Sequence, residues 1–100
     1  MYQLIRTVDA RNAALLPAAL EFAGNVTAYL KKAYALDLKY GVSMFSGATL
    51  HWMFQTDSLD KLSALNAKLM QDREYGAMLV KAKDLWVDGS FKDTIVNLVG

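Results

Sequence analysis

Between Thr49 and Trp86 the sequence runs strand, helix, helix, and that order leaves few folds open to the chain. Thr49-Leu50-His51-Trp52-Met53-Phe54-Gln55-Thr56 is rich in β-preferring residues and holds no Gly or Pro. Leu50, Trp52 and Phe54 share one face of such a strand, and His51, Met53 and Gln55 share the other. Neither face is plainly polar, so the strand is expected to be central in its sheet and covered on both sides. Asp57 or Ser58 can cap the helix that follows, with Asp60 adding negative charge to its first turn. Leu59, Leu62, Leu65, Leu69 and Met70 then form one apolar stripe, with Leu62 expected in the core. Asp72 looks like a second cap, after which Tyr75, Met78, Leu79, Ala82 and Trp86 again share a face. The spacing therefore predicts a helix that is bent or broken between Gln71 and Glu74 and ends near Trp86.

The rest of the chain fits around this core. Residues 2 to 8 set Tyr2, Leu4, Arg6 and Val8 against Gln3, Ile5 and Thr7, which suits a first strand. Helical spacing then runs through Leu16, Ala19, Leu20, Ala23, Val26 and Leu30 to about Tyr34. Pro17 belongs in the first turn of that helix, because in the interior it would remove a hydrogen bond and clash with the preceding turn. Gly24 allows a close approach at mid-helix, and Lys31 and Lys32 suit the carbonyl end. Leu38 to Phe45 reads as a second strand, joined to the third by the tight connection Ser46-Gly47-Ala48. Asp88-Gly89-Ser90 makes a turn into a last strand from Thr94 to Val99. One domain spanning residues 1–100 follows, with the α+β order β-α-β-β-α-β, the ferredoxin-like arrangement. Right-handed crossovers put both helices on one face of a four-stranded antiparallel sheet, with the first and third strands central.

The other face then has no helix to cover it. Apolar residues make up 54% of the chain, somewhat above the usual share for a soluble domain. Burial of that face against a second copy, as a homodimer, accounts for both facts.

Charge and composition exclude several classes of function. Acidic and basic side chains nearly cancel and form no like-charged run, which argues against nucleic acid or an anionic membrane as partner. Lys39-Tyr40-Gly41-Val42-Ser43-Met44-Phe45 is a faint echo of an RNA-recognition signature, on the wrong strand and without basic surroundings. Cysteine is absent, so disulfides, thiolate metal sites and a cysteine nucleophile are all excluded. The chain opens directly into a strand and has no apolar run long enough to span a bilayer, which makes the cytoplasm the expected compartment.

Trp52-x-Phe54-x-x-Asp57-Ser58-Leu59, a long helix, Asp72-x-x-Tyr75, then Gly89-Ser90 and Asp93 ahead of the last strand together resemble the dimeric α+β barrel superfamily. The likeness is greatest to its NIPSNAP-type and related small members. It implies that two ferredoxin-like sheets pack face to face. That superfamily holds cofactor-independent monooxygenases, haem-binding and haem-degrading enzymes, isomerases and stress-induced proteins, so the resemblance implies a shape more than a chemistry.

The candidate site residues follow from chemistry. His51 is the only histidine and could act as a general base beside Gln55, or serve as a hydrogen-bonded residue of the subunit interface. A lone histidine supports no metal site, and no cofactor is expected. Arg6, in a central strand, needs a partner: a substrate carboxylate, or a salt bridge to Asp93 or another acid at the sheet edge. Tyr40, Trp52 and Trp86, with Tyr2 and Tyr75, could line an apolar pocket for an aromatic molecule, or be core. Ser43 and Ser46 lie near the hairpin, with no activating base evident beside them. The expectation is a metal-free homodimer that binds or transforms a small apolar or aromatic molecule, by oxygenase or isomerase chemistry if it is an enzyme. The alternative is a non-catalytic dimerisation or stress-related binding protein.

Overall fold

The structure, a computed structural model, describes residues 1–43 and 47–100. Strand β1 (Tyr2–Asp9) leads through a short 3-10 turn into helix α1 (Leu16–Tyr34). Strands β2 (Lys39–Val42) and β3 (Thr49–Thr56) follow, then helices α2 (Leu59–Gln71) and α3 (Arg73–Lys81), and strand β4 (Lys92–Asn97). The sheet order is β2-β3-β1-β4 with every pair antiparallel, so β1 and β3 are central, as the element order requires. Met44 and Phe45 of the expected second strand, and Ser46 of the connection, lie outside the described residues.

Local chemistry sets the element boundaries. The Asn12 side chain accepts the amide of Leu15 at 3.2 Å, and Pro17 sits in the first turn of α1, where it forfeits no helical bond. The helix stops at Ala35, whose left-handed backbone (φ 56°) lets its amide bond back to the last turn. Ser58 is the cap of α2, its hydroxyl accepting the Lys61 amide at 3.3 Å. Asp72 breaks the second helix. Its backbone is extended (φ −80°, ψ 112°) and its carboxylate takes the amide of Tyr75 at 2.9 Å, which starts α3 on a new axis.

Two elements are bounded differently from expectation. Helix α3 ends at Lys81, and after a 3-10 turn at Lys83–Leu85 Trp86 is extended and bridges to Ala10. The amide of Val87 then donates to Asp9 at 2.9 Å, so this segment has to turn back onto the end of β1 instead of continuing as helix. Strand β4 runs from Lys92 to Asn97, two residues earlier at each end than the expected Thr94 to Val99, and its register sets Asp93 directly opposite Arg6.

The core joins Val8, Leu50 and Trp52 of the sheet to Ala19 and Ala23 of α1, with Ala82 and Trp86 closing one end. Alanines at the contact let α1 lie close to the sheet, and at Gly24 an added Cβ would come within 3.1 Å of the Tyr40 hydroxyl. By length and mean hydropathy the helical stretch Ala13–Tyr34 passes as a bilayer-crossing segment, contrary to expectation. Alanine and leucine raise the average around Glu21 and Asn25, while Ala19, Ala23, Val26 and Leu30 are buried in the domain.

Helix α2 departs most from the sequence reading. None of its residues is buried, Met70 is 81% exposed, and Leu62 is only half-buried. The helix spans a gap above the sheet instead of closing on it.

Candidate ligand-binding cleft

That gap is a cleft of about 950 Å³ between the helix-bearing face of the sheet and helices α2 and α3. Leu62, Leu65 and Leu69 of α2 look down into it, and Leu4, Trp52 and Phe54 form its floor. The leucines of the stripe face the floor across the cleft and are only half-buried, so sequence periodicity found the right face but not its burial. A smaller hollow of about 340 Å³ under the first turns of α2 shares Leu36, Phe54, Leu62 and Leu65 with it, so the space continues beneath the helix.

One rung of the sheet supplies the polar floor. Tyr40 pairs with Trp52, Trp52 with Arg6, and Arg6 with Asp93, so all four residues stand side by side across the four strands. Arg6 Nε donates to Asp93 Oδ1 at 2.7 Å and Nη2 to Oδ2 at 2.9 Å, the bidentate geometry that guanidinium and carboxylate favour. Hydrogen bonding to Asp93 raises the Arg6 pKa against the opposing effect of burial, and the guanidinium in turn holds the Asp93 carboxyl below the ordinary carboxylate range. Of the alternatives open to Arg6, the salt bridge with Asp93 is the one found.

Beside this pair Trp52 is 6% exposed, and its indole N–H is buried without an acceptor among the described residues. An orphaned donor of this kind is rare in a folded interior. Its ring belongs to an edge-to-face cluster with Phe22 (6.4 Å between centroids) and Trp86 (6.3 Å), which Phe91 extends at 6.0 Å from Trp86.

At the far end of the cleft Asp72 gathers three donors. The hydroxyls of Tyr29 and Tyr34 donate to Oδ2 at 2.6 and 2.5 Å while Oδ1 caps α3. These bonds, that from Tyr29 first, hold the Asp72 carboxyl down to about 2 and push both phenols up. The joint between α2 and α3 is thereby tied to the last turns of α1.

The structure divides the sequence-derived candidates between two surfaces. Arg6, Trp52 and Trp86 line the cleft. Tyr40 stands on the same rung but at the sheet edge, 43% exposed, with its hydroxyl against Gly24 and outside the cleft lining. His51 and Gln55 alternate onto the opposite, helix-free face. There the Ser43 hydroxyl meets His51 Nε2 at 2.5 Å, a neighbour that sequence reasoning did not give Ser43, and Gln55 donates to Gln3 at 3.0 Å. Phe22 was missed as a wall of the cleft, although its place between Ala19 and Val26 in the helical spacing marks the buried face. The tie of Tyr29 and Tyr34 to Asp72 had no sequence signal, because its partners are about forty residues apart and meet only in the fold. Among the described residues no group of three His, Asp or Glu side chains could hold a metal ion.

No family model and no curated protein matches the sequence. Solved structures do. A NIPSNAP family protein of unknown function from Agrobacterium tumefaciens is 26% identical with a TM-score of 0.81, over 96% of this chain and 86% of that one. An uncharacterized NIPSNAP domain protein from Burkholderia xenovorans superposes at a TM-score of 0.82 with 13% identity, over 99% of this chain and 95% of the other. A monooxygenase from Streptomyces coelicolor, solved with the ligand Nanaomycin D, has a TM-score of 0.70 at 17% identity, over 99% and 88% of the two chains. The chain is a ferredoxin-like domain with the fold of the dimeric α+β barrel superfamily, and among that superfamily's proteins it is similar to those of the NIPSNAP family.

Proposed function

We propose that the protein is a cytoplasmic homodimer, joined through the helix-free sheet face, in which each subunit binds a small apolar or aromatic molecule in its cleft without a metal. The observation that supports this reading is the cleft itself. A cleft of about 950 Å³ open to the surface of a 100-residue domain is the size of a small-molecule site. Its walls are largely aromatic and aliphatic, and one rung of its floor sets Arg6 and Asp93 together beside Trp52.

Binding without turnover is favoured over an oxygenase or isomerase activity by one observation. Arg6 of the cleft is engaged with Asp93 and Asp72 with Tyr29 and Tyr34, which leaves the exposed Asp88 as the one acid of the cleft without a side-chain partner among the described residues. The Streptomyces coelicolor monooxygenase shares the fold at too low an identity to carry its activity across. Native mass spectrometry of freshly purified protein tests the proposal. A dimer retaining one small molecule per subunit is expected, and an empty monomer would refute it.

A further inference from the structure

We propose that the cleft takes an aromatic ring carrying an unbranched alkyl tail, with the ring beside the two tryptophans and the tail running beneath α2 into the smaller hollow on the other side of that helix. The inference rests on the reading of the cleft as a binding site and goes further by naming the class of molecule it takes.

The lining changes character along the sheet. Trp52, Phe54 and Thr56 follow one another on the helix-bearing face of β3. Trp52 borders the cleft alone, Phe54 borders both spaces, and Thr56 borders the smaller hollow alone. Alternate residues of a strand lie about 7 Å apart, so the floor from Trp52 to Thr56 is about 13 Å long. At the Trp52 end the walls are aromatic: Phe22 meets Trp86 edge-to-face at 5.5 Å between centroids, and Phe91 is exposed beside Trp86. Towards Thr56 they are aliphatic, with Leu36, Leu62 and Leu65 bordering both spaces.

Helix α2 repeats the division from above. Asn66, Leu69 and Met70 line the cleft, whereas Lys61, Ala64 and Lys68, at spacings of three and four, line the hollow. The two spaces therefore flank the helix and meet under Leu62 and Leu65. Both leucines, and Phe54 below them, are only half-buried, so apolar surface on the two layers is left without a partner. A compact ring held at the tryptophans leaves that stretch unfilled. A methylene chain fills it, because it is thin enough to lie between two layers and its burial takes apolar surface of all three out of water. Carbon–carbon bonds of about 1.5 Å advance an extended chain somewhat less than that per carbon, so a tail of about eight carbons spans the floor from the ring to the hollow.

Two probes with the same ring, 4-butylphenol and 4-octylphenol, test this when titrated into the intact isotope-labelled protein and followed by proton–nitrogen correlation spectra. Both are expected to move the indole resonances of Trp52 and Trp86, and only the octyl probe to move the backbone amides of Thr56 and Ala64. Each methylene taken out of water adds about a fourfold gain, so the octyl probe should bind at least about tenfold more tightly than the butyl one. Non-specific partition onto an apolar surface gives the same gain, and Ala64→Phe tells the two apart. Ala64 is exposed at the hollow and does not line the cleft, so the larger side chain obstructs the path of the tail and not the seat of the ring. In that variant the advantage of the octyl probe should fall to within about threefold. An octyl probe that binds no more tightly than the butyl one, leaves Thr56 and Ala64 unmoved, or keeps its advantage in Ala64→Phe overturns the inference and leaves the cleft a binding site. Failure of both probes to bind at their limit of solubility overturns the binding reading as well.

Discussion

Asp72 does with two oxygens what helix junctions usually divide among several residues: it caps α3 and anchors two tyrosines of α1. Its carboxyl is held down to about 2, so as pH falls the unfolded chain takes up the proton first. The stabilisation is therefore complete above the ordinary carboxylate range, near pH 4, and is lost as pH drops from there through about 2. Asp72→Asn should flatten the decline of the urea midpoint across that window without abolishing it, because Asp57 and Asp93 are also lowered by their cationic partners. At the alkaline end Tyr29 and Tyr34 are both raised, so of the five tyrosines two should ionise late in a titration followed by phenolate absorbance. The same substitution should bring them forward. Ala35 offers a separate test. Its left-handed backbone strains any residue with a Cβ, and Ala35→Gly should raise thermal stability by about 0.5 to 1 kcal/mol.

At the level of elements, the difference between α1 and α2 decides which mutations matter. Both carry an apolar stripe, but only α1 buries residues of it, at Ala19, Ala23, Val26 and Leu30. Leu50→Ala, at a fully buried position, should cost about 3 to 5 kcal/mol in denaturant titrations by opening a new cavity. Leu62 is half-buried at the wall of the open cleft, so Leu62→Ala should cost only about 1 kcal/mol, well short of a core substitution. This is also where the sequence was and was not legible. Periodicity marks which face of a helix is apolar, and the caps at Asn12, Ser58 and Asp72 were readable because capping is local chemistry. How far a stripe stands from its sheet depends on what props it at each end, and no pattern within α2 records that. Trp86 shows the same limit. Its spacing continues that of α3, but the pairing with Ala10 pulls it out of helical geometry.

For the molecule as a whole, the strand alternation between His51 and Trp52 separates two surfaces with different tasks. The pairing of Arg6 with Asp93 could be anticipated from element order alone, whereas the membership of the cleft could not, since it gathers side chains from every helix and three strands. The helix-free face carries Ile5, Met53 and Val96 among polar neighbours, and it is the face proposed to meet a second copy. Met53→Asp and Gln55→Lys should each shift the sedimentation of low-micromolar protein toward monomer, and intact dimers in both variants would remove that placement. The two tryptophans of the chain, Trp52 and Trp86, meet in one aromatic cluster with ring centroids 6.3 Å apart, and both border the cleft. All indole emission from the folded protein consequently originates at one place, and the domain carries a built-in optical reporter: whatever enters the cleft changes the colour or yield of its fluorescence without any label being attached.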